Sequence, residues 1–209
     1  MTITDAQRAT AWQVQSLLIS YPDQQLVERI PLLRTANATL PVSLAAPLTT
    51  FLDHTAATPL IELAAEYVAT FDHRKRFSPY LTYFAYGDTR KRGMALLRFK
   101  HAYRTAGLVL DDSELPDHLA VVLEFGATGD LAMGRRLLVE HRAGLELMRR
   151  GLHETGSPWA AVLDSVSATL PSLGRREHDA VARLAAEGPP EEEVGLDPYA
   201  APLFAGGPR

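Results

Sequence analysis

The sequence of 209 residues contains no cysteine. This excludes disulfide bonds, a thiol nucleophile and cysteine-ligated zinc or iron–sulfur sites. No apolar run approaches the roughly 18 residues that cross a bilayer. The first residues also lack the basic segment and apolar core of a signal peptide. We therefore predict a cytoplasmic protein that does not insert into a membrane.

Charge of one sign is not in large excess either. The formal net charge is −4, with 46% hydrophobic and 22% charged residues, which is typical of a soluble globular protein. Such a balance gives no general preference for nucleic acid or anionic lipid. The length is enough to bury a substantial core and favours one domain, although two domains remain compatible with it.

Paired strand patterns are absent, and helical periodicity dominates the sequence. We predict helices at about residues 5–19, 24–36, 40–58, 59–72, 88–106, 116–126, 130–151 and 157–170. An aromatic connector over residues 80–86 is predicted to be irregular or a helical turn. After Ala186 the composition becomes rich in Pro, Gly and Glu. The prediction is a single all-α helical bundle over residues 1–186 with a disordered tail over residues 187–209.

The helix starts carry the expected signals. Thr58 is predicted to cap the helix at residues 59–72, with Pro59 at its first position. Ser157 is predicted to do the same for the helix at residues 157–170, with Pro158 following it.

A catalytic or metal-binding constellation is also missing. Six of the seven histidines have no Asp, Glu or His three or four residues away, the spacing of ligands on a helix. His118 has Glu114 four residues before it, but Pro116 lies between them where a helix would begin. A triad assembled from distant residues remains open. Since nothing favours it, we predict a protein that is not an enzyme and has no resident metal or cofactor.

The basic residues are concentrated in one region. Between residues 74 and 104 there are nine Lys or Arg and one acid, Asp88. Interleaved aromatics make single-stranded nucleic acid one possible ligand of this region. The alternative is a set of solvated helix faces paired with acids, and the acidity of the remaining chain favours it. We predict no nucleic-acid partner.

Two features admit both a structural and a binding interpretation. Tyr67 and Phe71, four residues apart, are typical of a helix face that packs in the core, while tyrosine also suits the lip of a groove. Asp117 would be favoured in the first turn of a helix by the helix dipole. Alternatively, Glu114, Asp117 and Glu124 would offer negative charge to an Arg or Lys of a partner peptide.

Several motifs together resemble one family of proteins. They are Leu17-Leu18-x-x-Tyr21-Pro22, Tyr67-Val68-x-x-Phe71-Asp72, Leu81-Thr82-Tyr83, Gly87-Asp88-Thr89-Arg90-x-Arg92-Gly93, Glu114-Leu115-Pro116-Asp117-His118-Leu119 and Val122-Leu123-Glu124-Phe125. Over about residues 10–150 the chain is similar to the nitrate reductase molybdenum cofactor assembly chaperones, the NarJ or delta-subunit family of the TorD-like group. The Leu115 before the proline and the Pro-rich tail depart from what this resemblance implies.

The resemblance implies an all-helical chaperone of TorD-like type. Its expected partner is the apo α subunit of respiratory nitrate reductase, recognised at a leader-like N-terminal segment. The chaperone would keep that subunit competent for insertion of molybdenum cofactor and iron–sulfur clusters before membrane docking. A dimethyl sulfoxide or trimethylamine oxide reductase is the alternative client. We expect a monomer.

The resemblance also implies that the run from Glu114 to His118 takes part in binding. We predict a groove that receives the apolar face of a partner helix. The residues predicted to line it are Tyr67, Phe71, Tyr83, Leu119 and Leu123. The residues predicted to orient basic groups of the partner are Asp72, Glu114, Asp117 and Glu124. His118, the titratable group near neutral pH in this run, is predicted to tune the affinity.

Overall fold

The computed structural model describes residues 3–72, 75–111 and 113–190. Its helices are α1 Asp5–Ile19, α2 Gln24–Asn37, α3 Val42–Ala57, α4 Leu60–Phe71, α5 Leu81–Tyr86, α6 Arg90–Thr105, α7 Leu119–Thr128, α8 Leu131–Glu140, α9 Arg142–Glu154, α10 Trp159–Thr169 and α11 Arg175–Glu187. A short 3-10 helix, Lys75–Phe77, precedes α5. Strands are absent from these described ranges, which confirms the all-α prediction.

The first two helices begin where local capping chemistry places them. Thr4 and Gln7 form a capping box at α1, in which each side chain accepts a hydrogen bond from the other residue's backbone. Asp23 caps α2 by accepting from the Leu26 amide at 2.8 Å. These side chains satisfy amides that the first helical turn leaves without a partner.

Two predicted caps are wrong for a shared reason. Pro59 and Pro158, rather than Thr58 and Ser157, occupy the N-cap positions of α4 and α10. The Thr58 amide donates to the His54 carbonyl and closes α3, while the Ser157 amide donates to Leu152 at the end of α9. Their amides close the preceding helix, and in both places the next helix begins from the proline that follows.

The predicted long helix over residues 130–151 is interrupted at His141. His141 adopts φ −105° and ψ 18°, and it ends α8 and begins α9. One of its ring nitrogens lies 2.9 Å from the Leu137 carbonyl oxygen, and its ring packs against Phe99. The Leu137 carbonyl is therefore shared with the His141 amide, whose own bond to it is long at 3.3 Å. The break coincides with this side-chain contact, which helical periodicity does not reveal.

The core is built around α1, which packs on α7, α10 and α2. Trp12 is fully buried, and its indole N–H donates to the Thr169 hydroxyl at 2.9 Å. Trp159, 1% exposed, donates to the Leu18 carbonyl at 3.2 Å. These bonds satisfy the polar edges of two large rings and hold α1 and α10 together.

The last described helix, α11, packs against α9. Its Val181 is fully buried, whereas most of its surface is exposed. Of the predicted tail, residues 191–209 lie outside the described residues. Among the helices that are described, none combines the length and the apolar character needed to cross a membrane.

Candidate functional site

A cavity of about 740 Å³ opens between the end of α4 and the start of α7. The connections that follow α1 and precede α5 and α7 complete its walls. The residues that line it are Ser20, Tyr21, Tyr67, Phe71, Asp72, Pro79, Tyr80, Ser113, Glu114, His118, Ala120, Val121 and Glu124. Of the ten predicted site residues, six therefore meet at one cavity: Tyr67, Phe71, Asp72, Glu114, His118 and Glu124.

Aromatic rings form one wall of the cavity. The rings of Tyr67 and Phe71 lie 4.7 Å apart, and each contacts Trp159 edge-on at 5.6 Å. Tyr21 packs edge-on against Tyr67 at 5.5 Å and is 56% exposed. Tyr67 and Phe71 themselves are only 6% and 5% exposed. They belong to the core, and they also present a ring edge to the cavity. The core interpretation and the groove interpretation of this pair therefore both apply.

The Tyr67 hydroxyl is used inside the protein. It donates to the Ile19 carbonyl at 3.3 Å. Burial, followed by the charge of Asp72, raises the pKa of Tyr67. The phenol therefore remains protonated and contributes a neutral surface to the cavity.

Three carboxylates surround the cavity: Asp72 at the end of α4, Glu114 in the loop before α7, and Glu124 on α7. Asp72 and Glu124 are exposed and Glu114 is half-buried. Among the residues that the structure describes, no Lys, Arg or His forms an ion pair with any of them. A cleft with charge of one sign concentrates the electric field, so this one attracts cations.

Glu114 is held in place by two hydrogen bonds. Its Oε1 accepts from the Tyr80 hydroxyl at 3.1 Å and from the Leu115 amide at 2.7 Å. Burial and the neighbouring Glu114 charge raise the pKa of Tyr80 to about 12. Tyr80 is therefore a donor at neutral pH, and it directs the Glu114 carboxylate toward the cavity wall.

His118 is the N-cap of α7. Its Nδ1 accepts from the Ala120 amide at 3.2 Å, which places the proton of the neutral ring on Nε2. The ring packs edge-on against Tyr80 at 5.2 Å. Burial lowers the pKa of His118, although the charges of Glu114 and Asp117 oppose this shift. The neutral form is the one that can serve as a cap.

Asp117 does not line the cavity, contrary to the prediction. Its side chain is fully buried, and one carboxylate oxygen accepts from both the amide and the hydroxyl of Thr82. The Arg92 guanidinium lies 3.8 Å from the same oxygen. Asp117 is therefore a positioning residue that fixes the start of α5 against the start of α7.

Leu119 and Leu123 are also absent from the cavity, because both are fully buried in the core. They share a face of α7 with Val122 and Gly126, at the spacing of a helix that packs on a neighbour. The cavity instead meets Val121 and Glu124 on another face of this helix. The apolar periodicity of α7 is therefore present, but its apolar face enters the core and a different face meets the cavity.

Tyr83 lies at a different surface. It lines a separate cavity of about 560 Å³ together with Phe84, Leu147 and Leu184. Tyr80, which does line the main cavity, precedes α5 in an extended conformation with φ −91° and ψ 112°. Because Tyr80 lies outside the helix, the three-residue spacing from Tyr83 does not place them on one face.

Sequence reasoning missed Tyr21, Tyr80 and Val121 as cavity residues. Tyr21 belongs to a motif that was recognised, and Tyr80 stands among the connector aromatics. Val121, three residues before Glu124, has the spacing that places two residues on one helix face. Only this last spacing was a usable signal for a shared cavity.

Comparisons with known proteins agree with this architecture. The family model described as nitrate reductase delta subunit matches residues 37–164. The probable nitrate reductase molybdenum cofactor assembly chaperone NarJ of Bacillus subtilis is 30% identical over 182 residues, which cover 85% of this chain and 96% of that protein. The nitrate reductase-like protein NarX of Mycobacterium tuberculosis is 38% identical over 168 residues, or 78% of this chain. The chain spans about a quarter of NarX, with 24% of that protein covered.

A solved structure shares the fold. A putative redox enzyme maturation protein from Archaeoglobus fulgidus aligns with a TM-score of 0.54 at 24% identity, over 85% of this chain and 93% of that chain. The family model covers more than half of the present chain. The chain therefore belongs to the nitrate reductase delta subunit family.

Proposed function

We propose that this member of the nitrate reductase delta subunit family is an assembly chaperone for a molybdenum-containing nitrate reductase. It binds the N-terminal segment of the apo catalytic α subunit and keeps that subunit competent for insertion of molybdenum cofactor and iron–sulfur clusters before membrane docking. It acts in the cytoplasm, as a monomer, and catalyses no reaction itself. The names of its NarJ relatives support the chaperone role.

The observation that carries the peptide-binding proposal is the cavity with three carboxylates, none of which forms an ion pair with a Lys, Arg or His in the described part of the chain. The cavity is lined by carboxylates from three separate parts of the chain, namely Asp72, Glu114 and Glu124. A Lys or Arg of the bound segment would form charge-assisted hydrogen bonds with them. The aromatic edges of Tyr67 and Phe71 would contact the apolar part of the same segment.

The exposure of the carboxylates also suits a chaperone that must release its client. Ion pairs at exposed positions contribute about 0.2–1 kcal/mol each, because solvent screens them. Binding through Asp72 and Glu124 is therefore expected to weaken with rising salt. Such contacts orient the segment without making dissociation slow.

The test is titration of a fluorescent synthetic peptide that carries the N-terminal sequence of the α subunit. The double variant Asp72→Asn plus Glu124→Gln is expected to raise the Kd about threefold to tenfold. Glu187→Gln, an exposed carboxylate on α11 outside the cavity, is the matched control and should leave the Kd unchanged. Equal affinities for the wild type and the double variant would remove the cavity assignment.

The client itself is identified by a second experiment. The tagged protein is recovered from cells that cannot make molybdenum cofactor, and the retained polypeptide is identified by mass spectrometry. Retention of the nitrate reductase catalytic subunit supports the proposal. Selective retention of a dimethyl sulfoxide or trimethylamine oxide reductase would assign a different client.

A further inference from the structure

A second, smaller cavity adjoins the first along α7. Its volume is about 210 Å³, and Val121 and Glu124 line both cavities. Its other walls come from Phe125 and Thr128 farther along α7 and from the segment that follows α6. The two cavities are therefore neighbours along α7 and share the wall formed by Val121 and Glu124.

The chemistry changes from one cavity to the other. Among the described residues, the first cavity has three carboxylates, whereas the second has Glu124 alone, at the boundary between them. The walls of the second cavity include Leu108, 38% exposed, and Val109, 89% exposed. Apolar side chains this exposed at the edge of a cavity are typical of a surface that a partner covers.

Two buried aromatic rings form part of the wall of the second cavity. The rings of Tyr103 and Phe125 lie 4.5 Å apart, and both are buried. The Tyr103 hydroxyl donates to the Pro116 carbonyl, so its hydrogen-bonding capacity is used within the protein. Burial raises the pKa of Tyr103, which keeps this hydroxyl protonated. The part of this pair that lines the cavity is therefore apolar.

We propose that the second cavity is an apolar subsite that receives one large apolar side chain of the same partner segment whose basic residues occupy the first cavity. This inference rests on the proposed function and deepens it. The shared wall of the two cavities and their different chemistry favour a segment with a basic end and an apolar end. A helix is about 10–12 Å across, so it would lie over a cavity this small and insert a single side chain.

The spacing along α7 predicts the sequence pattern of the ligand. His118 packs on Tyr80, which holds Glu114, so His118 marks the Glu114 end of the first cavity. Phe125 in the second cavity lies about 10 Å farther along the helix axis. A helical ligand that lies along α7 would cover this distance in about seven residues, or two turns. Its apolar anchor should then follow or precede its basic residue by about seven positions on the same face. The order of the two cavities along α7 also fixes the orientation of the bound segment, with its basic end near His118.

The test is a double-mutant cycle with the full chain and two helical peptides. Both peptides carry the same basic residues, and they differ only in Leu or Ala at the seventh position from the basic group. The protein variant is Val109→Asp, whose position is too exposed to disturb folding. The carboxylate of Val109→Asp attracts the basic residues of both peptides equally, because those residues are identical. This attraction therefore cancels in the ratio of the two Kd values.

The wild type is expected to bind the Leu peptide about tenfold more tightly than the Ala peptide. Val109→Asp should reduce this preference to about threefold or less. Val42→Asp, at a 79% exposed position on α3, is the matched control and should retain the full preference.

The outcomes separate this inference from the proposed function. An unchanged preference in Val109→Asp, or no preference in the wild type, overturns the apolar subsite. If Glu124→Gln still weakens the binding of both peptides in that case, the proposed function stands. If Glu124→Gln also has no effect, the cavity assignment in the proposed function fails as well.

Discussion

Thr82 donates two hydrogen bonds to a single carboxylate oxygen of Asp117, one from its backbone amide at 3.1 Å and one from its hydroxyl. Both side chains are fully buried. Backbone bonds flank this contact, since the Leu81 amide donates to the Asp117 carbonyl at 3.0 Å and the Leu119 amide to Pro79 at 2.8 Å. The start of α5 and the start of α7 therefore form one unit, and this unit places Tyr80 and His118 at the cavity.

Asp117→Ala is expected to destabilise the protein by about 1–3 kcal/mol, because the buried hydroxyl and amide of Thr82 would lose their acceptor. Urea denaturation measures the change. Asp117→Asn retains an acceptor oxygen and should cost less. Glu124→Gln, at an exposed position, should change stability by about 0.5 kcal/mol at most. Loss of peptide binding in Asp117→Ala at unchanged stability would show instead that Asp117 contacts the ligand.

Gly134→Ala is expected to lower the free energy of unfolding by about 1–3 kcal/mol through overpacking. A Cβ at this position would lie 2.5 Å from the Gly126 Cα, so α7 and α8 would have to separate. Gly93 in α6 is the matched control, since a Cβ there meets no atom within 4 Å. Gly93→Ala should stabilise the protein by about 0.5–1 kcal/mol because alanine favours the helix. Thermal unfolding distinguishes these opposite signs, and a shift of both variants in one direction would contradict the packing argument.

The stability of the protein is expected to fall as the pH drops below about 6.5, the ordinary pKa of histidine. Burial lowers the pKa of His118 in the folded state. At a pH between this lowered pKa and the ordinary pKa of the unfolded chain, the unfolded chain binds a proton that the folded chain does not. Protonation would also place a hydrogen on Nδ1 and abolish the cap to Ala120.

His118→Asn tests this pH dependence, because asparagine can cap a helix but does not titrate. Urea midpoints at about pH 7.5 and about pH 5.5 should differ less in this variant than in the wild type. Burial also lowers the pKa of His141, which should supply a residual slope in both proteins. Identical slopes in the two proteins would mean that His118 does not contribute.

Glu146→Ala is expected to lower the free energy of unfolding by about 3–5 kcal/mol, because the buried guanidinium of Arg142 loses its carboxylate partner. Glu146 is 1% exposed and bonds Arg149 Nε at 2.8 Å, Ser167 Oγ at 2.7 Å and Arg142 at 2.9 Å. Burial opposes its charge, but the bonds from Ser167 and Arg149 and the charge of Arg142 outweigh it and lower the pKa of Glu146.

The control for Glu146→Ala is Glu154→Gln, which breaks an exposed ion pair with Arg76 and should cost about 1 kcal/mol at most. Chemical denaturation of both variants measures the difference. A second variant, Arg142→Met plus Glu146→Leu, removes both charges and should recover much of the lost stability. Equal costs for Glu146→Ala and Glu154→Gln would show that the buried network contributes no more than a surface pair.

The candidate site was predictable in part. Glu114 and Glu124 were expected to provide negative charge beside an apolar surface, and both line the cavity. Asp117 was assigned to the same surface because it is acidic and adjacent in sequence. It points into the protein instead, because Thr82 and Arg92, which are distant in sequence, surround it. Residue type indicated the chemistry of this run but not the direction of each side chain.

The sequence by itself determined the all-α class and the bounds of helices such as α1 and α2, because helical periodicity and capping depend on residues only a few positions apart. Only the tertiary structure decided which face of α7 enters the core and where the helix predicted over residues 130–151 breaks. Leu119 and Leu123 on α7 are as apolar as residues that line a groove. They are buried because α1 packs on their face and brings the Trp12 ring against Gly126. That choice depends on contacts between residues more than a hundred positions apart, and no local pattern specifies them.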